Sequence, residues 1–124
     1  MMINSHEYQI LLENSQLSEE QLLDMLEQLV VTRGAKGVDV YESGRCVHVP
    51  AVEAIANIDP TGCGDAFRAG YIYGLMGNYS TKICARIGCV IASINLENRD
   101  TQTYECDEAI LRSRYRSAYG DVLN

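Results

Sequence analysis

The 124-residue sequence predicts an α/β fold in which a narrow sheet of three or four strands is layered between helices. Three observations carry that expectation. Short apolar and β-branched runs, "LVVT", "VDVY" and "CVHV", cluster in the first half of the chain. Helical periodicity frames them on both sides, and glycine-containing turns separate them.

Taken in order, Met1 to Ile3 read as the end of a short strand, after which Asn4 or Ser5 caps a helix through about Glu13 with Ile10 and Leu11 inward. Ser18 with Gln21 forms a capping box, and Leu22, Leu23, Leu26 and Leu29 recur at helical spacing up to Gln28. "LVVTRG" is an apolar run ended by Gly34. "VDVYES" then alternates inward and outward residues, and "SGR" turns it into "CVHVP" as a hairpin. After the connection "AVEAIANIDPTG" come three helical stretches, Gly64 to Met76, Ser80 to Asn95 and Asp107 to Tyr119. No repeat or shift of composition divides the chain, so one domain is expected. At this length a domain buries roughly two-thirds of its unfolded surface.

The formal charge of −7, with no block of lysine or arginine, gives counterion release little to act on and argues against nucleic acid as a partner. No run approaches the roughly 18 apolar residues of a membrane span. Five cysteines, Cys46, Cys63, Cys84, Cys89 and Cys106, form no CxxC pair and fit no usual metal-ligand spacing. They suit a reducing compartment. "MMINSHEYQILLEN" carries no basic segment followed by an apolar export signal, so cytoplasmic residence is expected.

The segment that carries chemistry is "IDPTGCGDAFRAGYIYGL", Ile58 to Leu75. Pro60 holds Asp59 extended, and Gly62 and Gly64 permit a tight turn, so the amides near Gly62, Cys63, Gly64 and Asp65 can face one point at the start of a helix. Such a helix entrance favours an anion, phosphate above all. No GxxxxGK[ST] occurs, and an aspartate stands where a P-loop has its lysine. Asp65 beside an amide-lined pocket has the chemistry of a base for an attacking hydroxyl. A plainer reading remains open, that Asp65 is an acidic residue of a first helical turn, stabilised there by about 0.3–1 kcal/mol.

"DPTGCGDAFRAGYIYGL" resembles the C-terminal signature of the ribokinase-like sugar kinases, the PfkB family, usually written D-T-x-G-A-G-D. Its proline and cysteine variant is most similar to the bacterial sugar kinases grouped with adenosine kinase. "NSHE" resembles the family's N-x-x-E motif, "VVTRGAKG" its V-T-x-G-x-x-G segment, and "ENRDTQTY" its closing loop around nucleotide and cation. The resemblance covers nearly the whole chain but only the C-terminal part of a family member. It implies a ribokinase-like three-layer α/β/α, Rossmann-like fold with an incomplete sheet, and residues 1–124 as a partial kinase domain lacking the N-terminal substrate and lid part.

By that resemblance the activity is ATP-dependent phosphoryl transfer to an alcohol group of a sugar or nucleoside. Asp65 would be the base, and Gly62, Cys63 and Gly64 the anion hole. Asn4 and Glu7 would position Mg²⁺ through water, and Thr32, Gly34 and Gly37 would border ATP. Asp59 and Thr61 would lie near a monovalent cation such as K⁺. Two departures bear on this: Asp100 stands where the closing loop usually has glycine, and Cys89 where relatives place an asparagine near the adenine. The other reading is a non-catalytic remnant that binds ATP or ADP at most, with self-association or a complementary fragment expected at an uncovered sheet edge. Among lesser signals, His6 and His48 read as outward-facing, Arg68 as a surface residue, and Tyr71 and Tyr73 as packing residues.

Overall fold

The computed structural model describes residues 1–52, 63–97 and 108–123. It opens with β1 (Met2–Asn4), which passes at once into α1 (Ser5–Ser15), followed by α2 (Glu19–Met25). Both helices begin with capping boxes, Asn4 with Glu7 and Ser18 with Gln21, which satisfy amides that a helix start otherwise leaves bare. β2 (Gln28–Thr32) follows and pairs parallel with β1, setting Asn4 beside Thr32. A parallel pair needs a crossover, and α1 with α2 supplies it.

β3 (Val38–Glu42) and β4 (Arg45–Val49) complete a four-stranded sheet in the order β1-β2-β3-β4, with β2, β3 and β4 antiparallel. The two-residue turn between β3 and β4 has Ser43 at φ 52° and Gly44 at φ 76°. Positive φ at both central positions matches the twist of a two-residue hairpin and fixes its register, with Glu42 opposite Arg45 and Asp39 opposite His48.

Strand alternation separates two cores. Val30, Val38, Val40 and Val49 face α3 (Cys63–Met76) and α4 (Thr81–Glu97), packing with Phe67, Tyr71, Cys84, Ala85 and Cys89. Leu29 and Val31 face the other way and pack with Tyr8 of α1 and Leu22 of α2. Helices therefore cover both faces of the sheet. α5 (Glu108–Tyr119) closes the outer side of α4, where Ile87, Val90 and Ile94 meet Leu111, Tyr115 and Leu123. Because α4 is enclosed on two sides, Cys84, Ala85, Ile87, Gly88, Cys89, Val90, Ser93 and Ile94 are all buried. α3 and α4 cross closely at glycines: a Cβ on Gly70 would lie 2.8 Å from Cα of Gly88, and one on Gly88 would lie 2.6 Å from the Phe67 ring.

Three sequence expectations change. Ile10 is 41% exposed, because the inward stripe of α1 is Tyr8, Leu11 and Leu12 at i, i+3 and i+4, and a residue two after Tyr8 falls on the far side. Leu29 belongs to β2 and not to the preceding helix: Leu26 turns extended at φ −112°, ψ 134°, and the apolar run pairs with strands on both sides. Tyr71 is a core residue as expected, but Tyr73 is 47% exposed. Among the described residues no helix is long and apolar enough to cross a membrane.

Candidate active site

α3 carries the residues of the aspartate motif that the structure describes. It runs for 14 residues from Cys63, so the amides of Cys63, Gly64 and Asp65 fall in its first turn, where no intrahelical carbonyl is available. Among the described residues nothing lies within 4 Å of where a Gly64 Cβ would stand. The side chain of Asp65 is 90% exposed, and among the described residues it pairs with Arg68, Nη1 to Oδ1 at 3.5 Å. An exposed carboxylate at a helix start has the chemistry to accept a proton from a hydroxyl brought to it. Gly62, Asp59 and Thr61 lie outside the described residues, as does Asp100.

A second group collects where β1 and β2 end. Thr32 is the last residue of β2, level with Asn4 across the β1–β2 pair, so the sheet brings together residues from two separate motifs. Asn4 and Glu7 are bonded to one another: Asn4 Oδ1 accepts from the Glu7 amide at 2.8 Å, and Glu7 Oε1 accepts from the Asn4 amide at 3.0 Å. The N-x-x-E spacing thus has a complete helix-capping explanation. Glu7 Oε2 has no partner among the described residues, which leaves the carboxylate one oxygen for water or a cation. That donor set fits a magnesium ion held through its hydration shell and does not amount to an inner-sphere cage. Among the described residues no group of three or more His, Cys, Asp or Glu side chains could hold a metal.

Beyond Thr32 the chain makes a 3₁₀ turn, Gly34–Lys36, tied by three backbone bonds: Arg33 N–H to Gly37 O at 2.8 Å, Lys36 N–H to Arg33 O at 3.1 Å, and Gly37 N–H to Gly34 O at 3.1 Å. Gly37 sits at φ 96°, ψ −148°, and a Cβ there would stand 2.2 Å from Val49 O. Only glycine fits. The turn therefore presses against the end of β4, and its shape is set by glycine chemistry.

Cys89 is 7% exposed, within the core beside Phe67 and Tyr71. Burial pushes its thiol up to about 11, partly offset by a hydrogen bond with Tyr119. Nearby, Tyr119 donates to Pro50 O at 3.0 Å and lies 4.8 Å under the Arg86 guanidinium.

One polar cluster was not singled out by sequence reasoning. Arg33 Nε donates to Asp39 Oδ2 at 2.5 Å, and Asp39 Oδ1 meets His48 Nδ1 at 2.7 Å. The two bonds hold the Asp39 carboxyl below the usual range despite its burial, which acts in the opposite direction and is the largest single influence. Its signal was in the sequence: a two-residue hairpin turn at Ser43–Gly44 pairs Asp39 with His48. A cleft of about 480 Å³ lies between α2 and the β3–β4 hairpin, lined by Glu19, Asp24, Tyr41 and Arg45 among others, and it contains none of the candidate residues.

Comparison with known proteins places this architecture. The pattern of the pfkB family carbohydrate kinases matches residues 1–108. A nucleoside kinase of Methanocaldococcus jannaschii is 31% identical over 83% of this chain and 34% of its own length. A ribokinase of Lactococcus lactis is 31% identical over 80% of this chain and 32% of its own. The chain thus spans about a third of the length of these curated relatives. Among solved structures, Burkholderia thailandensis nucleoside kinase in complex with inosine superposes with a TM-score of 0.90 at 29% identity, over 98% of this chain and 41% of that one. The M. jannaschii nucleoside kinase structure gives 0.85 at 28% identity, over 94% of this chain and 39% of that one. With its family pattern running from the first strand to the start of α5, the chain belongs to the pfkB family of carbohydrate kinases.

Proposed function

We propose that this chain carries the nucleotide- and phosphate-handling part of an ATP-dependent phosphotransferase whose acceptor is a hydroxyl of a nucleoside or sugar. The observation that carries the reading is the start of α3 at Cys63, with the exposed carboxylate of Asp65 in its first turn. Family membership and the fold shared with nucleoside kinases support it.

In this reading the backbone of Gly62, Cys63 and Gly64 receives the transferring phosphoryl group, and the amides offset charge that grows on it. Asp65 takes the acceptor proton. A carboxylate suffices as the base because the hydroxyl proton leaves late in a loose transition state. Thr32, Gly34 and Gly37 border the nucleotide, with Cys89 behind it in the core. Asn4 and Glu7 would hold magnesium through water, and Asp59 with Thr61 would lie near a monovalent cation. Magnesium, when bound, neutralises phosphate charge. Nucleoside acceptors are favoured over sugars because the B. thailandensis relative was solved with inosine and the M. jannaschii relative is a nucleoside kinase.

A second reading, nucleotide binding without turnover, draws on one observation: the cleft between α2 and the β3–β4 hairpin does not include Asp65. Calorimetric titration of the chain with ADP or ATP and magnesium tests both. Heat with saturable binding, followed by ADP release when inosine, adenosine or ribose is supplied, supports the transferase. Binding without turnover on any acceptor selects the second reading. Absence of heat with either nucleotide overturns both.

A further inference from the structure

The turn Gly34–Lys36 is locally weak. It is a single 3₁₀ turn flanked by Gly34 at φ 58° and Gly37 at φ 96°, and the residue preceding it, Arg33, makes no side-chain capping bond. Its three backbone bonds are the kind that open readily unless the chain around them is tethered.

The tether is a side chain on the other face of the sheet. Thr32 shares the face of Val30, toward α3 and α4, whereas Asp39 and Tyr41 alternate with Val38 and Val40 and so face α1 and α2. Arg33 reaches to that second face, where Asp39 takes its Nε proton at 2.5 Å and the Tyr41 phenol adds to the hold. His48, opposite Asp39 in the hairpin, occupies the other carboxylate oxygen at 2.7 Å. The Asp39 side chain is 17% exposed and that of Arg33 29%, so the pair is partly sheltered from solvent. The guanidinium therefore stands behind the Thr32–Gly37 segment that the proposed function assigns to the nucleotide, on the sheet face opposite Thr32.

We infer that Arg33, clamped by Asp39 and His48, is a positioning residue that fixes the Thr32–Gly37 turn from behind the sheet and through it sets nucleotide affinity. The affinity half of this rests on the nucleotide reading above; the clamp itself does not. On the turn, Asp39 acts through Arg33, which gives the pair a signature that a general stabilising role lacks.

Amide hydrogen exchange at neutral pH tests it on the chain itself. In Asp39→Asn and Asp39→Ala, the amides of Arg33, Lys36 and Gly37 exchange about tenfold faster, the size expected for one charge-assisted bond discounted for partial exposure. The amides of Val30 and Val40, at the sheet centre, keep their rates. Asp39→Ala adds nothing in an Arg33→Ala background, and His48→Ala gives a smaller change in the same direction. The affinity for Mg·ADP falls in parallel. Unchanged turn amides in Asp39→Ala, equal acceleration throughout the sheet, or full additivity with Arg33→Ala overturns the clamp. If the unmutated chain binds no nucleotide, the nucleotide reading fails while the exchange rates still decide the clamp. Asp39→Asn, nearly isosteric, keeps the test usable if Asp39→Ala folds poorly.

Discussion

Gly37→Ala is the perturbation whose cost the structure states most directly. A non-glycine residue at φ 96°, ψ −148° stands in a region essentially restricted to glycine, at about 1–3 kcal/mol. The new methyl would also lie 2.2 Å from Val49 O, 3.0 Å from Ala51 N and 3.1 Å from Pro50 Cα, all backbone atoms that cannot rotate away. Shifting the end of β4 to relieve this adds about 1–3 kcal/mol, so the sum is roughly 2–6 kcal/mol. Against a total stability of about 5–15 kcal/mol this is a large fraction. With a urea dependence near 2 kcal/mol per molar, the denaturation midpoint falls by about 1–3 M. Gly34→Ala is the internal control. It too has positive φ, 58°, but nothing lies within 4 Å of its Cβ, so the cost is about 1 kcal/mol and the midpoint shift about 0.5 M. Equal shifts for the two variants, or a shift under about 0.3 M for Gly37→Ala, would refute the argument from close approach.

The remaining predictions separate chemistry from structure. Asp65→Ala leaves the denaturation midpoint within about 1 kcal/mol of the parent, because the side chain is 90% exposed with one long ion pair, yet phosphoryl transfer falls by at least about 100-fold; a large loss of stability would contradict the placement. Asn4→Ala costs about 1 kcal/mol in metal-free buffer by loss of the capping box, whereas Glu7→Gln keeps an acceptor oxygen for the Asn4 amide, spares stability and weakens only magnesium-dependent nucleotide binding. If Glu7→Gln leaves that binding unchanged, Glu7 is a cap and nothing more. Alkaline pH destabilises the fold: Cys89 is pushed up to about 11 and Tyr71 up to about 12, chiefly by burial, so the folded state holds their protons more tightly than the unfolded chain. That contribution is complete below about pH 8.5 and declines above it, at up to roughly 1.4 kcal/mol per pH unit for each group within its window. Urea midpoints between pH 8 and 10.5 should fall, less steeply in Cys89→Ala; a flat profile would count against the burial.

Much of the fold was legible because its elements obey local rules. The capping boxes at Asn4 and Ser18, the alternation of "VDVYE" and the glycine turn at Ser43–Gly44 each act over a few residues, and each predicted its element. The errors lie where local rules tie. Leu26 and Leu29 fit one helical stripe as well as a helix end followed by a strand, and only pairing with β1 and β3 decides for the strand. Ile10 and Tyr8 compete for one inward place on α1, and the phase of the helix against β2 gives it to Tyr8.

The sequence by itself determined that a carboxylate follows two glycines at a helix entrance, since glycine spacing, proline and helix periodicity are properties of the chain as written. The two-residue form of the hairpin turn, and with it the Asp39–His48 pairing, came from the structure. Only the tertiary structure decided that Asn4 of one motif and Thr32 of another stand side by side, because parallel strand register is set by packing across a crossover of two helices. It alone decided that Cys89 lies in the core between α3 and the sheet, and that Arg33 turns to the rear face to meet Asp39. Those placements depend on which surfaces the helices cover, and that is a property of the assembled chain.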